Sequence, residues 1–423
     1  MKRWISFVQL AVALLLPATA PAQTAPAPAP VPLISQGRPA DWVFVFKLNA
    51  GVFPTAANDP ARACPFGGTP TAYRQAFGQQ YAYASSADPA LQTGQGLVGV
   101  GPGDPVGATF AEIYNGDYSY VVWNDQFQGH PMADRASPWG HSKGMIAWNQ
   151  EGAGLVIQVS TPAWPGSGSA RAPRQGDGNT LGCTAGNNVM FSQHFFALRL
   201  NPQDVAQVLA GLANASVATD VTIPQLASIG GPQNIQAAAR LLGRLSSSTA
   251  VFDTTLSSGV RLIAKPSALR VPPWQLVSAV LGGPAASSGP PLRTANWWAT
   301  PAIPSTSSAG DPGCWGLPQH PGPVAIATSG VWNGRPIGLW GGHAPNGNHA
   351  KIGVSLGGAP YYTIFGDLNQ QGSLSPATRP CASSQNGRGG LFFVVEGQAL
   401  HDSVAALIAG DTAAAATPAA SGQ

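Results

Sequence analysis

Two stretches of the chain share one pattern: residues 139–160 read WGHSKGMIAWNQEGAGLVIQVS, and residues 348–367 read NHAKIGVSLGGAPYYTIFGD. Each contains a His-x-Lys triplet near its start, followed by an apolar run, a short turn with glycine and a second apolar run. Two apolar runs joined by such a turn are typical of a β-hairpin. Because the same device occurs twice, the sequence predicts an internal pseudo-twofold repeat, with one hairpin in each half of the molecule.

The two triplets are His141-Ser142-Lys143 and His349-Ala350-Lys351, and they hold half of the lysines that follow the N-terminal leader; the others are Lys47 and Lys265. In a strand, residues two positions apart point to the same face, so each triplet places an imidazole beside an ammonium group. Two such pairs facing each other would form a compact phosphate-handling site.

Histidine and lysine in this arrangement are suited to phosphoryl transfer. A neutral imidazole can attack phosphorus, a second, protonated imidazole can deliver a proton to the departing oxygen, and lysines can stabilise the charge on the non-bridging oxygens. Since histidine has an ordinary pKa of about 6.5, one neutral and one protonated imidazole coexist best in mild acid. The site is predicted to need neither a metal nor another cofactor.

The N-terminus has the features of an export signal. Residues 1–3 are MKR, residues 4–16 are mostly apolar, and Ala20-Pro21-Ala22 fits a signal-peptidase cleavage site. We predict a signal peptide over residues 1–22 and a Pro/Ala-rich tether over residues 23–36. The mature protein is then expected to be secreted or periplasmic.

The remaining chain is too long for one ordinary core, so two fused halves are expected. We predict a first half over residues 37–200 and a second half over residues 201–412, each with one His-x-Lys triplet, and a disordered tail over residues 413–423. The boundary falls where Asn201-Pro202 predicts the start of a helix that runs to about Asn214. Further helices are predicted in three other segments, residues 232–245, 274–281 and 399–409.

Composition narrows the function classes. Charged residues are 9% of the chain, against about 25% in an average soluble protein. Near-neutral charge excludes a non-specific nucleic-acid coat, which needs a strong basic excess. The four cysteines of an exported chain indicate two disulfides, and we predict Cys64–Cys183 and Cys314–Cys381, although three pairings are compatible with the sequence.

Several short motifs resemble the deoxyribonuclease II family. Residues 139–144 (WGHSKG), 149–152 (NQEG) and 160–165 (STPAWP) resemble its first active-site region, while residues 348–351 (NHAK) and 366–369 (GDLN) resemble its second. Three more stretches match in the same order: residues 41–48, 124–126 and 192–193. The resemblance implies a phospholipase D-like α/β fold, in which two pseudo-symmetric α/β sandwich halves meet at one active site.

The resemblance also implies an activity. It indicates a metal-independent endonuclease that hydrolyses DNA to 3′-phosphate and 5′-hydroxyl ends through a phosphohistidine intermediate, favoured at acidic pH. The implied partner is double-stranded DNA, with single-stranded DNA also open, in a protein without a membrane association and with a homodimer as one implied assembly. Carried over by motif, His141 with Lys143 and His349 with Lys351 form the site. We expect His141 as nucleophile and His349 as general acid, and the pseudo-symmetry leaves the reverse assignment open.

The chain departs from the family pattern at the position of an orienting carboxylate. The wider superfamily has an aspartate five residues after the lysine, where this chain has Trp148 and Leu356, and related deoxyribonucleases have one at the position of Asn149. An asparagine can orient an imidazole but cannot stabilise an imidazolium by charge. Asn149, Glu151 and Asp367 are therefore candidates to orient a histidine. Asn369 is a candidate phosphate contact.

Other polar residues have weaker assignments. Arg171 and Arg174 follow the first hairpin and are candidates to clamp a DNA strand, although solvated loop charges are commoner. We predict that His343 is a surface residue and that His194 is structural. Most tryptophans are predicted to lie in the core, with one or two near the cleft able to stack on unpaired bases.

Two rival functions stay open at this point. One is a secreted phosphodiesterase of the same chemistry that acts on lipid or cell-wall phosphodiesters. The other is a non-catalytic envelope-binding protein, in which alanine at either triplet histidine should change little. The two imidazoles favour an enzyme, because a pure binding protein has no need of them.

Overall fold

The fold was analysed in a computed structural model, which describes Met1 and residues 28–55, 78–128, 131–175 and 190–416. The predicted signal peptide, apart from Met1, and the predicted Cys64–Cys183 pair lie outside the described residues. The predicted Cys314–Cys381 disulfide is confirmed, with 5.3 Å between its Cα atoms. None of the helices within the described ranges is long and apolar enough to cross a membrane.

The described residues form five α-helices and 21 β-strands. The helices are α1 (Pro105–Asn115), α2 (Pro202–Asn214), α3 (Gln233–Ala239), α4 (Pro273–Gly282) and α5 (Gln398–Leu407). The strands are β1 (Leu33–Ser35), β2 (Arg38–Pro39), β3 (Trp42–Lys47), β4 (Tyr81–Ser85), β5 (Gln92–Thr93), β6 (Ser119–Asn124), β7 (Lys143–Trp148), β8 (Gly154–Val159), β9 (Gln193–Leu200), β10 (Ala227–Ser228), β11 (Phe252–Thr255), β12 (Arg261–Lys265), β13 (Leu292–Ala295), β14 (Ser305–Thr306), β15 (Val324–Ile326), β16 (Ser329–Trp332), β17 (Arg335–Gly338), β18 (Ile352–Ser355), β19 (Tyr362–Gly366), β20 (Gly390–Glu396) and β21 (Ala415–Ala416).

The two large sheets share the topology of five central strands. The first has the order β10-β6-β7-β8-β9-β3-β4-β5, and the second has the order β11-β12-β20-β19-β18-β13-β15. The antiparallel series β6-β7-β8-β9-β3 corresponds strand for strand to β13-β18-β19-β20-β12. In the first half, α1 precedes β6 and α2 follows β9. In the second half, α4 precedes β13 and α5 follows β20. This confirms the predicted mixed α/β fold with two pseudo-symmetric halves.

The two sheets pack face to face across one shared core. Phe196 of β9 stacks on Phe365 of β19 with ring centroids 4.5 Å apart, and Phe44 of β3 lies at the same distance from Phe365. Helices α2 and α5 contribute their apolar faces to this core, while α1 and α4 cover the outer faces of the first and second sheet. Alternate residues of β3 face the two layers, which explains why its sequence is apolar almost throughout.

Three predicted boundaries need correction. The tether predicted over residues 23–36 includes strand β1, where the Leu33 N–H donates to Thr109 Oγ1 at 2.9 Å. The tail predicted from residue 413 includes buried Ala413 and strand β21, which pairs with β14. Strand β10 pairs with β6, so the first sheet extends beyond the predicted boundary at residues 200 and 201.

The helix predictions were mostly confirmed. Helix α2 begins where predicted, because the Asn201 side chain accepts from the Asp204 N–H at 2.8 Å in a capping box. Helices α4 and α5 lie within a residue or two of their predicted bounds, whereas α3 ends at Ala239 instead of residue 245. Helix α1 was missed, although Asp104-Pro105 is an N-cap followed by proline at the first turn.

Candidate active site

The two His-x-Lys triplets lie at the start of the equivalent strands β7 and β18: Lys143 is the first residue of β7, and Lys351 directly precedes β18. A cavity of about 260 Å³ opens between them. It is lined by Gln126, Gln128, His141, Pro162, Phe191, Trp297, His343, His349, Asn369 and Gln371. The two triplets, which were predicted to face each other, thus contribute one imidazole each to the lining of a single cavity.

His141 is held by two carbonyls of the second half. Its backbone N–H donates to Gly389 O at 2.8 Å, and its ring Nδ1 lies 2.8 Å from Asp367 O. A carbonyl only accepts, so Nδ1 carries the hydrogen and donates it. In the neutral imidazole the lone pair is then on Nε2, the atom left for a substrate.

His349 is held in the same way by the first half. Its backbone N–H donates to Ser192 O at 2.7 Å, and its Nδ1 donates to Ser160 O at 2.9 Å. Strand register makes Ser160 the equivalent of Asp367 and Ser192 the equivalent of Gly389. Each half therefore fixes the orientation and tautomer of the other half's histidine.

Both imidazoles are biased toward the neutral form. Burial lowers the pKa of His141 well below its usual value, and the charges of Lys143, Arg388 and Lys351 lower it further. Burial lowers the pKa of His349 in the same direction, followed by the charges of Lys351 and Lys143. A neutral imidazole with a free Nε2 is the state that a nucleophile requires.

The two lysines differ in their partners. Lys143 Nζ forms a buried ion pair with Asp125 Oδ1 at 2.6 Å, and Asp125 also binds Arg388 at 2.9 Å. Lys351 Nζ donates to His349 O at 2.7 Å, and its pKa is lowered well below the usual value by burial and then by the charge of Lys143. An added anion between the lysines would relieve this repulsion.

His194 forms a hydrogen bond with the backbone of Lys351. Its Nδ1 accepts the Lys351 backbone N–H at 3.1 Å, and burial lowers its pKa to about 3. His194 is therefore neutral at physiological pH and acts through hydrogen bonding, in keeping with the structural role expected of it.

The comparisons with known proteins point in one direction. Residues 35–227 match the family described as deoxyribonuclease II. The matched segment is slightly less than half of the chain. It is 30% identical to deoxyribonuclease-2-alpha of Rattus norvegicus over 139 residues, which are 32% of this chain. The match spans about a third of that relative's length, 34%. The second triplet lies beyond the matched family region.

The acidic and amide residues expected around the site divide into two groups. Asp367 lies at His141, but it holds the imidazole through its backbone carbonyl. Its carboxyl accepts from Leu391 N–H at 2.8 Å and Gln158 Nε2 at 3.0 Å, and burial raises its pKa to about 7. Asn369 lines the cavity and donates from Nδ2 to Gln371 Oε1 at 2.8 Å.

The suggestion that Asn149 or Glu151 orients a histidine is wrong. Asn149 lies in the turn after β7, six residues beyond Lys143, a separation of about 20 Å along a strand. Its Oδ1 accepts the backbone N–H groups of Glu151 at 3.2 Å and Ala153 at 3.1 Å. The side chain stabilises the hairpin turn, and Glu151 lies exposed in the same turn.

The arginines expected to clamp DNA lie apart from the cavity lining. Arg171 is exposed and pairs with Asp117 at 3.0 Å. Arg174 is buried, and its Nη1 donates to Ala163 O, which fastens the loop after β8. A buried side chain of this kind cannot contact a DNA backbone, so the assignment of Arg174 needs correction.

Four contributions to the site were missed in the sequence. Asp125 pairs with Lys143, and Trp297 packs edge-on against His349 with centroids 4.8 Å apart. His343 is exposed, as predicted, and it also lines the cavity, 6.0 Å from the Trp297 ring. Phe191 also lines the cavity. The sequence signal for Asp125 was its place directly after an apolar strand.

The two remaining lysines form a second symmetric pair. Lys47 ends β3 and donates to Phe191 O at 2.6 Å, while Lys265 ends β12 and donates to Arg388 O at 2.9 Å. The next residues in the chain, Ser192 and Gly389, carry the carbonyls that hold the two histidine N–H groups. Burial lowers the pKa of both lysines to about 7. The small number of lysines in the chain was the sequence signal that could have pointed to Lys47 and Lys265.

Proposed function

We propose that the protein is a metal-independent endonuclease that hydrolyses DNA to 3′-phosphate and 5′-hydroxyl ends. The observation that carries this proposal is the exchange of hydrogen bonds between the halves, which leaves two imidazole Nε2 atoms available beside one cavity, with a buried lysine two residues after each histidine. The match of residues 35–227 to the deoxyribonuclease II family supports DNA as the substrate. The proposed site of action is outside the cytoplasm, after removal of residues 1–22.

The proposed reaction has two steps. In the first, the neutral Nε2 of His141 forms a bond to phosphorus, the bond from phosphorus to the 5′-oxygen breaks, and that oxygen takes a proton from His349. In the second, His349 takes a proton from water, the water oxygen attacks phosphorus, and the bond to His141 breaks. The products are a 3′-phosphate and a 5′-hydroxyl, with both histidines returned to their initial states.

The lysines stabilise charge during this reaction. Lys143 and Lys351 can donate to the non-bridging oxygens, which carry the negative charge of the transition state. Because Lys351 Nζ donates to a backbone carbonyl and is repelled by Lys143, a bound phosphate favours the charged form of its amine.

The pH dependence follows from the two histidines. His349 must be protonated to act as an acid, and its pKa in the free protein lies below the usual value. Activity is therefore expected to fall as the pH rises through that lowered pKa. This places the expected optimum on the acid side of pH 6.5, roughly the ordinary pKa of histidine.

The test is relaxation of supercoiled plasmid by purified protein in excess EDTA, at about pH 5 and about pH 7.5. We expect nicking that is faster at the lower pH and is lost in His141→Ala and His349→Ala. His320→Ala is the matched control, because His320 is 49% exposed and pairs with Asp311 on the surface. No nicking by well-folded wild type, or nicking retained by both site variants, would overturn the proposal.

A further inference from the structure

The pseudo-twofold symmetry of the site is broken at one pair of equivalent positions. Asn124 lies opposite Lys143, and the register of β13 with β18 makes Asn296 its equivalent in the second half. The next residue is Asp125 in the first half and Trp297 in the second. An acidic side chain on one side of the cavity thus corresponds to an aromatic ring on the other.

The residues that contact Asp125 and Trp297 also occupy equivalent positions in the two halves. Lys47 lies opposite Gln193 and Lys265 opposite Gly390, so Phe191 and Arg388, two residues earlier, are equivalent. Asp125 forms an ion pair with Arg388 at 2.9 Å, whereas Trp297 packs edge-to-face on Phe191 with centroids 5.3 Å apart. The Asp125–Arg388 ion pair thus corresponds, at equivalent positions, to the Trp297–Phe191 aromatic pair.

The aromatic pair flanks only His349. Trp297 lies 4.8 Å and Phe191 lies 6.3 Å from the His349 ring, centroid to centroid. Trp297 is partly exposed and lines the cavity together with His343. A ligand centred on the two histidines therefore meets an aromatic face on the His349 side, whereas the equivalent Asp125–Arg388 ion pair on the His141 side is largely buried.

A second aromatic pair begins at the residue after Trp297 in the chain. Trp298 packs on Trp340 with centroids 4.9 Å apart, and Trp340 is 51% exposed. The Trp340 carbonyl accepts the Asn348 N–H at 2.8 Å, which couples this segment to the residue before His349. Trp340 is therefore an exposed indole on a segment that is hydrogen-bonded to the chain leading into His349.

We propose that Trp297, Trp298 and Trp340, here called the aromatic track, bind unpaired nucleobases of the substrate strand on the His349 side of the cut. The inference rests on the proposed function and names its substrate class as single-stranded or locally melted DNA. Stacking on indole rings tolerates any base, since every base has a π-face. Because His349 protonates the departing 5′-oxygen, the stacked nucleotide is the one released with the 5′-hydroxyl.

The test is binding of short fluorescent single-stranded oligonucleotides to His141→Ala protein in EDTA, so that cleavage does not interfere. One oligonucleotide is intact, and a matched one carries abasic sugars. We expect the intact strand to bind more tightly by roughly 5- to 150-fold per stacked base. This comparison needs no change in the track, so it stays decisive if a tryptophan variant fails to fold. Equal affinity for the two strands would overturn the proposal.

Variants of the track then locate the effect. Trp340→Ala and Trp297→Leu, added to His141→Ala, should weaken binding of the intact strand and leave that of the abasic strand unchanged. Leu241→Ala is the matched control, because Leu241 is another exposed apolar side chain, at 55%, on helix-flanking surface outside the cavity lining. Base-dependent binding that survives both tryptophan variants would assign it to another surface and overturn the proposal.

Plasmid nicking by the otherwise unaltered protein separates this inference from the proposed function. If the protein nicks plasmid but binds intact and abasic strands equally well, the aromatic track is overturned and the proposed nuclease function is retained. Base-dependent binding without any nicking supports the track and rejects the cleavage reaction.

Discussion

At the scale of single residues, the site depends on which charges surround each imidazole. Arg388 binds Asp125 and also donates to the carbonyls of Trp139 at 2.9 Å and Gly140 at 3.0 Å, so it holds the chain directly before His141. Its positive charge contributes to the lowered pKa of His141 and is absent from the causes that lower the pKa of His349. The two histidines can therefore be shifted separately.

Arg388→Gln should raise the pKa of His141 by removing a nearby positive charge. As the proposed nucleophile, His141 must be neutral, so activity is lost as the pH falls through its pKa. A raised pKa moves this acid limb of the nicking profile to higher pH and leaves the alkaline limb, set by His349, in place. The measurement is the initial nicking rate in EDTA across the acid range.

Arg388→Lys is the control for this experiment. It keeps the positive charge and loses the fork geometry of the guanidinium, so the rate should fall without a shift of either limb. If Arg388→Gln moves the alkaline limb instead, His141 is the acid and His349 the nucleophile.

At the scale of elements, local features were predictable from the sequence, and contacts between residues far apart in the sequence were not. Both hairpins follow from apolar runs and turns within about twenty residues, and α2 follows from its capping sequence. The contact of Lys265 with Arg388 joins residues 123 positions apart, and that of Lys143 with Asp125 depends on the register of two strands. A single sequence carries no signal for such register, so Asp125 and Trp297 were missed while the histidines were found.

The strand-end lysines give a prediction at this scale. Lys265→Met should leave the carbonyls of Asn386 and Arg388, at 2.7 Å and 2.9 Å from Nζ, without their buried donor. Buried groups of this kind cost about 1–3 kcal/mol when left unpaired. We expect a loss of unfolding free energy of that size in urea, with a larger proportional loss of nicking because Gly389 holds His141.

Arg199→Met serves as the comparison, because Arg199 is a strand cation with 60% of its side chain exposed. It should change neither unfolding free energy nor nicking appreciably, since exposed ion pairs contribute about 0–1 kcal/mol. Full nicking by Lys265→Met protein would show that the segment before β20 holds its position without the lysine.

At the scale of the whole molecule, the halves share one core and one site. Rings of β3 and β9 stack on a ring of β19, and helix α2 of the first half packs in the same cluster as strands of the second. Unfolding one half would expose the apolar face of the other. The described chain should therefore unfold as a single cooperative unit.

The disulfide of the second half tests this cooperativity. Replacing Cys314 and Cys381 by serine together should destabilise the protein by about 2–4 kcal/mol, since the bond closes a long loop. We expect one urea transition at a lower midpoint, with tryptophan fluorescence and nicking activity lost together. Two separated transitions, with the second half melting first, would contradict a shared core.

The exchange of histidine contacts has a consequence for how such a protein can be made safely. A chain emerging from the ribosome, or threading across a membrane, has neither imidazole fixed until both halves have docked, because each Nδ1 hydrogen bond comes from the opposite half. Under the proposed function, a partly folded chain lacks the contacts that orient both histidines and is expected to be inactive. Folding itself would then be the activation step.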